Sequence, residues 1–225
     1  MIFCKKIRLT SRITFLAVTY FFTPRLLDKI TMIKKQLILP YLVLLCLLIS
    51  CGDSEGKKRS TADTSDFKIE TSEGEFQISI PKEMKRASQL NTDAAMQFEN
   101  QNTNSYLVVI KENRFDFLKA YGAYDALDND LSDIGNYRKI QVEYFIKRLV
   151  LIEEGEPNAL TINGRKAEQI EFTCKVPNAN SNIFYVMTFV EGDDELYMII
   201  SWTPTLLEAD HKETFYAIAD SFKEL

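Results

Sequence analysis

Over the last two thirds of the chain, apolar and polar residues alternate in short runs separated by turn residues. Phe67-Lys68-Ile69 and Phe76-Gln77-Ile78-Ser79-Ile80 alternate around Ser72-Glu73-Gly74. That pattern predicts a hairpin, and Pro81 ends its second strand by removing a backbone donor. A second hairpin is predicted for residues 95–99 and 106–111, joined by the polar run 100–104. Within it, Leu107-Val108-Val109-Ile110 is continuously apolar, as expected of a strand covered on both faces. Asn163-Gly164, between the runs 159–162 and 165–176, is a two-residue turn signal because both positions must take positive φ. Residues 183–190 and 196–202 predict a last hairpin that turns through residues 191–195.

Helical spacing occupies the middle and the end. Phe117, Tyr121, Tyr124, Leu127, Leu131 and Ile134 recur every three to four residues, interrupted at Gly122. From Ile140 two periods compete: Ile140, Val142, Tyr144 and Ile146 alternate like a strand, whereas Leu131, Ile134, Val142, Phe145 and Leu149 fit a helix. The expectation adopted is a helix over residues 130–148 and a strand over 149–154. Near the C-terminus, Thr205-Leu206-Leu207-Glu208 matches a capping box. Leu207, Phe215, Ile218, Ala219 and Phe222 then form the apolar face of a final helix.

A different pattern precedes the alternating part. Residues 32–51 read MIKKQLILPYLVLLCLLISC, with Lys34 and Lys35 ahead of a 13-residue apolar run broken only by Pro40 and ending on Ser50-Cys51. That is the layout of a secretory signal peptide. Its ending resembles a bacterial lipobox, in which the cysteine is acylated and becomes the first mature residue, so Cys51 is the expected lipidation site. The competing reading is a signal anchor, but 13 residues are short of the roughly 20 a helical span needs. Residues 1–31 hold their own run of ten apolar-rich positions and are expected to be an upstream extension, untranslated or disordered, with synthesis starting at Met32. Residues 52–65 contain no apolar side chain larger than alanine, and 51–65 is expected to be a flexible tether. Residues 66–225 then form one domain.

Charge changes the picture of partners. The net charge of −5 hides an asymmetry: residues 1–51 hold eight of the 27 Lys/Arg but only one acid, Asp28. The remainder keeps 19 basic and 31 acidic residues, a net of −12. Such a domain is repelled by phosphate backbones, which disfavours nucleic-acid binding. Cysteine usage allows no intramolecular disulfide once Cys4, Cys46 and Cys51 are set aside. Cys174 shares a strand face with Ile170, Phe172 and Val176 and is expected to be a buried small hydrophobe.

The order of these elements resembles the PsbP-like superfamily, which includes DcrB-like bacterial lipoproteins. The residues that carry the resemblance are Ile80-Pro81, Leu107-Val108-Val109-Ile110, Ile162-Asn163-Gly164-Arg165, Phe189-Val190-Glu191-Gly192, Leu196-Tyr197-Met198-Ile199-Ile200-Ser201-Trp202 and Ser221-Phe222. It implies an α+β fold, a central antiparallel sheet with helices on both faces (an α/β/α sandwich). It also implies an accessory or binding role, not catalysis, and supplies no catalytic motif.

Candidate chemistry is sparse. His211, the only histidine, is read as a helix-flank residue, since nothing local pairs it with a nucleophile. The Gly-rich nucleotide loops are missing, zinc has too few ligands, and no cofactor is expected. Asp128, Asp130 and Ser132 fit the first positions of a calcium loop, which then fails at Asp133 and Lys139 where glycine and glutamate are required. Asp193, Asp194 and Glu195 are weak candidates for a hard cation, with a polar turn as the ordinary explanation. Trp202 is expected in the core or on the floor of a shallow pocket. The expected role is thus a lipid-anchored, non-enzymatic accessory or binding protein of the bacterial envelope, with the outer membrane favoured and its face open. Its partners would be the membrane, through the Cys51 lipid, and an envelope protein. The alternatives are an envelope hydrolase with an unrecognised site and a carrier of small hydrophobic molecules. Cells fed labelled palmitate should incorporate it into the wild-type chain and not into Cys51→Ala; equal labelling of both would remove the anchor.

Overall fold

The computed structural model describes residues 60–176 and 181–225. The expected leader, Cys51 and the start of the tether lie outside the described residues. The element order is β1 (Phe67–Ser72), β2 (Phe76–Pro81), β3 (Lys85–Arg86), β4 (Met96–Asn100), β5 (Ser105–Asn113), α1 (Arg114–Gly122) and α2 (Asp133–Ile146). There follow β6 (Val150–Glu154), β7 (Asn158–Ile162), β8 (Arg165–Lys175), β9 (Asn182–Glu191), β10 (Glu195–Pro204), a 3₁₀ turn (Thr205–Leu207), α3 (Glu208–Asp220) and β11 (Lys223–Glu224). None of the helices among the described residues is long and apolar enough to cross a membrane.

Eight strands make one antiparallel sheet in the order β3-β4-β5-β10-β9-β8-β6, with β7 also pairing β8. Its middle strands are apolar on both faces. In β10, Leu196, Met198 and Ile200 point one way and Tyr197 and Ile199 the other, and all five are buried. Strand alternation therefore creates two cores that each need a cover. One face is covered by α1 and α2, which bring Phe117, Ile134, Tyr137 and Val142 onto Phe172, Met187 and Phe189. The opposite face takes α3 together with a second sheet, β1-β2-β11, so that Phe215, Ile218 and Phe222 meet Phe76, Ile78 and Ile80. The α+β fold with helices on both faces is as expected. The separate small sheet is an addition, made when β1 and β2 leave the main sheet and pair with the chain end.

Local chemistry explains the elements. The β1–β2 and β7–β8 turns place Glu73-Gly74 and Asn163-Gly164 at positive φ, where glycine costs little and a Cβ-bearing residue is strained. Asn113 caps α1 by accepting from the Asp116 N–H (3.1 Å), and Ser132 caps α2 by accepting from the Gly135 N–H (3.2 Å). That cap settles the competing periods after Ile140 in favour of a helix: Ile134, Tyr137 and Val142 are buried while Tyr144 is 57% exposed.

Two expectations are corrected. Thr205 and Glu208 do not form a capping box. Residues Thr205–Leu207 wind into a 3₁₀ turn, so α3 starts at Glu208 with no side-chain cap, and the Thr205 hydroxyl is buried without a partner. Glu208 instead faces Lys212 at 3.8 Å. The tether is also shorter than its composition suggests. Ser60 is buried and donates to the Glu213 carbonyl (2.8 Å), and the Thr61 N–H donates to the Glu213 carboxylate (2.8 Å). Hydroxyl and backbone hydrogen bonds to α3 order residues 60–65 where apolar burial could not.

Phe222 closes the second core, with its ring centroid 4.7 Å from Tyr197 and 5.6 Å from Phe76. Phe222→Ala should cost about 3–5 kcal/mol in a urea unfolding experiment. Gly164→Ala, which strains only the turn backbone, should cost about 1–2 kcal/mol.

Candidate binding site

The hairpin registers place four aromatic residues in a row across the main sheet. Trp202 on β10 lies opposite Tyr106 on β5 and Tyr185 on β9, and Tyr185 lies opposite Phe172 on β8. Their rings stack with centroid separations of 5.3 Å (Tyr106–Trp202), 6.3 Å (Trp202–Tyr185) and 5.3 Å (Tyr185–Phe172). Cross-strand aromatic pairs of this kind stabilise a sheet and stiffen its surface. Phe145 reaches down from α2 and meets Tyr185 edge-on at 5.2 Å.

At this end of the sheet a pocket of about 220 Å³ opens, lined by Leu90, Asn91, Val108, Phe145, Tyr185, Ile200 and Trp202. The wall formed by Leu90 and Asn91 belongs to the loop between β3 and β4. Gln97 holds that loop, accepting from the Leu90 N–H (2.7 Å) and donating to the Asn91 carbonyl (3.1 Å). The Asn91 side-chain oxygen accepts from the Asp93 N–H (2.7 Å), which leaves its amide NH₂ without a protein partner among the described residues. Burial pushes the Tyr185 phenol up to about 12, so it stays protonated throughout the physiological range. The chemistry on offer is a flat apolar floor with one amide donor at the rim. The volume lies below the roughly 300–1,000 Å³ of sites for drug-sized ligands, so it suits a single ring or one inserted side chain.

The remaining sequence candidates are placed elsewhere and not together. His211 packs on Phe215 (5.8 Å) and donates through Nε2 to the Thr103 carbonyl (3.0 Å), tying α3 to the β4–β5 turn. Cys174 is fully buried in the α1/α2 core, where burial raises its thiol pKa. Asp128 pairs with Lys139 (3.0 Å) and accepts from the Asp130 N–H (3.1 Å), and Asp133 pairs with Arg114 (2.5 Å). These carboxylates face cations and backbone donors around the start of α2. Asp193 pairs with Arg165, whose guanidinium holds the carboxyl below the usual range, and Arg165 also meets Glu224 at 2.7 Å. Asp194 contributes its carbonyl to the Arg114 N–H (2.9 Å). The turn is locked further at Gly192, where a Cβ would run into the Glu224 carboxylate and the Tyr197 ring. Among the described residues no three His, Cys, Asp or Glu side chains converge as a metal site would require.

Trp202 was picked out from the sequence, but the aromatic row and the loop wall were not. The row has a readable signal: with the last hairpin turning at residues 192–194, Tyr185 and Trp202 fall opposite each other.

No family model and no curated protein matches the chain. Solved structures do. Cyanobacterial PsbP (CyanoP) from Synechocystis sp. is 13% identical over 80% of this chain and 99% of that chain, with a TM-score of 0.50. The fold is PsbP-like. Also similar are LpqN of Mycobacterium tuberculosis, described as involved in cell envelope biogenesis (10% identity, 66% and 82% coverage, TM-score 0.44), and the Ran-binding protein Mog1p of Saccharomyces cerevisiae (11%, 70% and 94%, 0.44).

Trp202 is the sole tryptophan, so its emission reports on the pocket alone. Tyr106→Ala removes its stacking partner and should red-shift that emission and raise acrylamide quenching while leaving the far-UV dichroism unchanged. An unaltered emission would mean that the stack does not exist in solution.

Proposed function

We propose that this chain is a lipid-anchored, non-enzymatic accessory or binding protein of the bacterial cell envelope. The observation that carries the proposal is the sequence of residues 32–51, with its basic start, 13-residue apolar run and terminal Ser50-Cys51. Nine residues lead from Cys51 to Ser60, which docks on α3. Fully extended they reach about 30 Å, so an acylated Cys51 would hold the domain close to the membrane surface. The PsbP-like fold supports the reading in architecture only. The domain's candidates for chemistry are dispersed and engaged in structural bonds, and the pocket at Trp202 offers a concave floor of aromatic rings.

That pocket favours a specific way of binding. Its size suits a single aromatic or branched aliphatic side chain supplied by an envelope protein, with a backbone carbonyl of the same segment accepting from Asn91. A small hydrophobic molecule would use the same floor, and the carrier reading rests on that observation.

The test is photo-crosslinking in intact cells from a benzophenone amino acid placed at Leu90, on the pocket wall, or at Phe115, 70% exposed on α1. A defined envelope protein should be captured from position 90 and not from 115, and capture should fall several-fold with Trp202→Ala. Identical products from both positions, or none, would contradict a protein-binding role. Release of a small molecule from the native protein in mass spectrometry would favour the carrier.

A further inference from the structure

The two edges of the main sheet are built differently. One ends in β3, two exposed basic residues, Lys85 and Arg86. A very short charged strand is a common way to blunt an edge against further pairing. The other edge is shared by β7 and β6, which pair successive halves of β8, and its β6 part is apolar: Val150, Leu151 and Ile152 are 59%, 38% and 51% exposed. On its inner side β6 pairs with β8, and on its outer side no strand pairs with it among the described residues.

The residues around this strand carry a charge order that complements itself. Residues 147–154 read Lys-Arg-Leu-Val-Leu-Ile-Glu-Glu, basic at one end and acidic at the other. None of Lys147, Arg148, Glu153 and Glu154 has an ion-pair partner among the described residues, whereas Arg114, Arg138, Arg165 and Lys212 all have one. Arg148 does lie over the Tyr144 ring and donates to its hydroxyl (2.9 Å), which keeps it near the strand end.

We propose that β6 is a homodimerisation edge, pairing antiparallel with β6 of a second copy about a two-fold axis near Leu151. Antiparallel pairing centred there sets the three apolar residues against themselves. It also brings Lys147 and Arg148 of each copy beside Glu153 and Glu154 of the other. Parallel pairing would set like charges side by side, so the pattern selects orientation as well as partner. The contact is isologous and uses up the edge in both copies, so it closes as a dimer and does not propagate. A register shift between Leu151 and Glu153 bends β6 and keeps the paired segment short. The interface therefore falls in the small class of transient contacts, and its attraction weakens as salt screens the eight charges, four from each copy.

The test is disulfide trapping of the full chain in detergent, with L151C compared with L206C, both carrying Cys174→Ser because Cys174 lies opposite Leu151 on β8. Leu206 is 91% exposed and lies outside β6, so it reports random collision and any association through the N-terminal segment. L151C should give several-fold more linked dimer than L206C, and less at high salt. Adding K147E/R148E or E153K/E154K to L151C should abolish the excess. Mixing those two reversed variants should restore it, as mixed dimers. L151C trapping no better than L206C would overturn the proposal, as would trapping indifferent to either charge reversal. Far-UV dichroism of each variant checks that these surface changes leave the fold intact.

Discussion

The structure depends on a sheet whose central strands are apolar on both sides. Strands β9 and β10 put Phe184, Val186 and Ile199 into one core and Met187, Phe189 and Met198 into the other, all of them buried. At roughly 25 cal/mol per Å² of apolar surface, neither face can be left wet, so each must recruit a layer. On one side the chain supplies α1 and α2 from the long connection after β5. On the other side it supplies α3 and closes the core with β1, β2 and β11, which draws both ends of the domain together. Residues 60–65 and the chain end at Leu225, whose N–H donates to the Glu75 carbonyl (2.8 Å), are fastened to that same layer.

The same constraint positions the candidate site. At the Trp202 end of the sheet the aromatic row Tyr106-Trp202-Tyr185 meets Phe145 of α2 and the loop carrying Leu90 and Asn91, and a pocket stays open between them. Aromatic rings suit such a boundary because they bury a large area while tolerating one wet edge. Acids weighed as cation ligands in the sequence sit in structural ion pairs: Asp193 meets the Arg165 guanidinium, which also holds Glu224 of β11, and Asp128 pairs with Lys139 of α2.

Much of the fold was legible because its signals are local. Asn163-Gly164 needs positive φ at both positions whatever surrounds it, and the alternation in β2, β9 and β10 reports burial directly. Helix α2 was harder, since a strand period overlies it from Ile140, and the decisive feature is the Ser132 cap upstream. What stayed illegible depends on distant partners. Thr205 and Glu208 carry the residues of a capping box, yet the 3₁₀ turn after β10 takes the position over. Residues 60–65 are polar enough to be a tether and are ordered by Glu213, far along the chain. Of the site, Trp202 is singled out by the sequence, and Tyr185 follows from the register of the last hairpin. The pocket needs the β3–β4 loop, whose placement rests on Gln97 and has no sequence signature.

The central claim is that this domain works from a lipid anchor at Cys51. It is tested most directly by peptide mass spectrometry of the protein extracted from membranes. The account predicts that the first peptide begins at Cys51 and carries a diacylglycerol thioether on its sulfur. A mature chain that retains residues ahead of Cys51, or one with an unmodified thiol there, would contradict it.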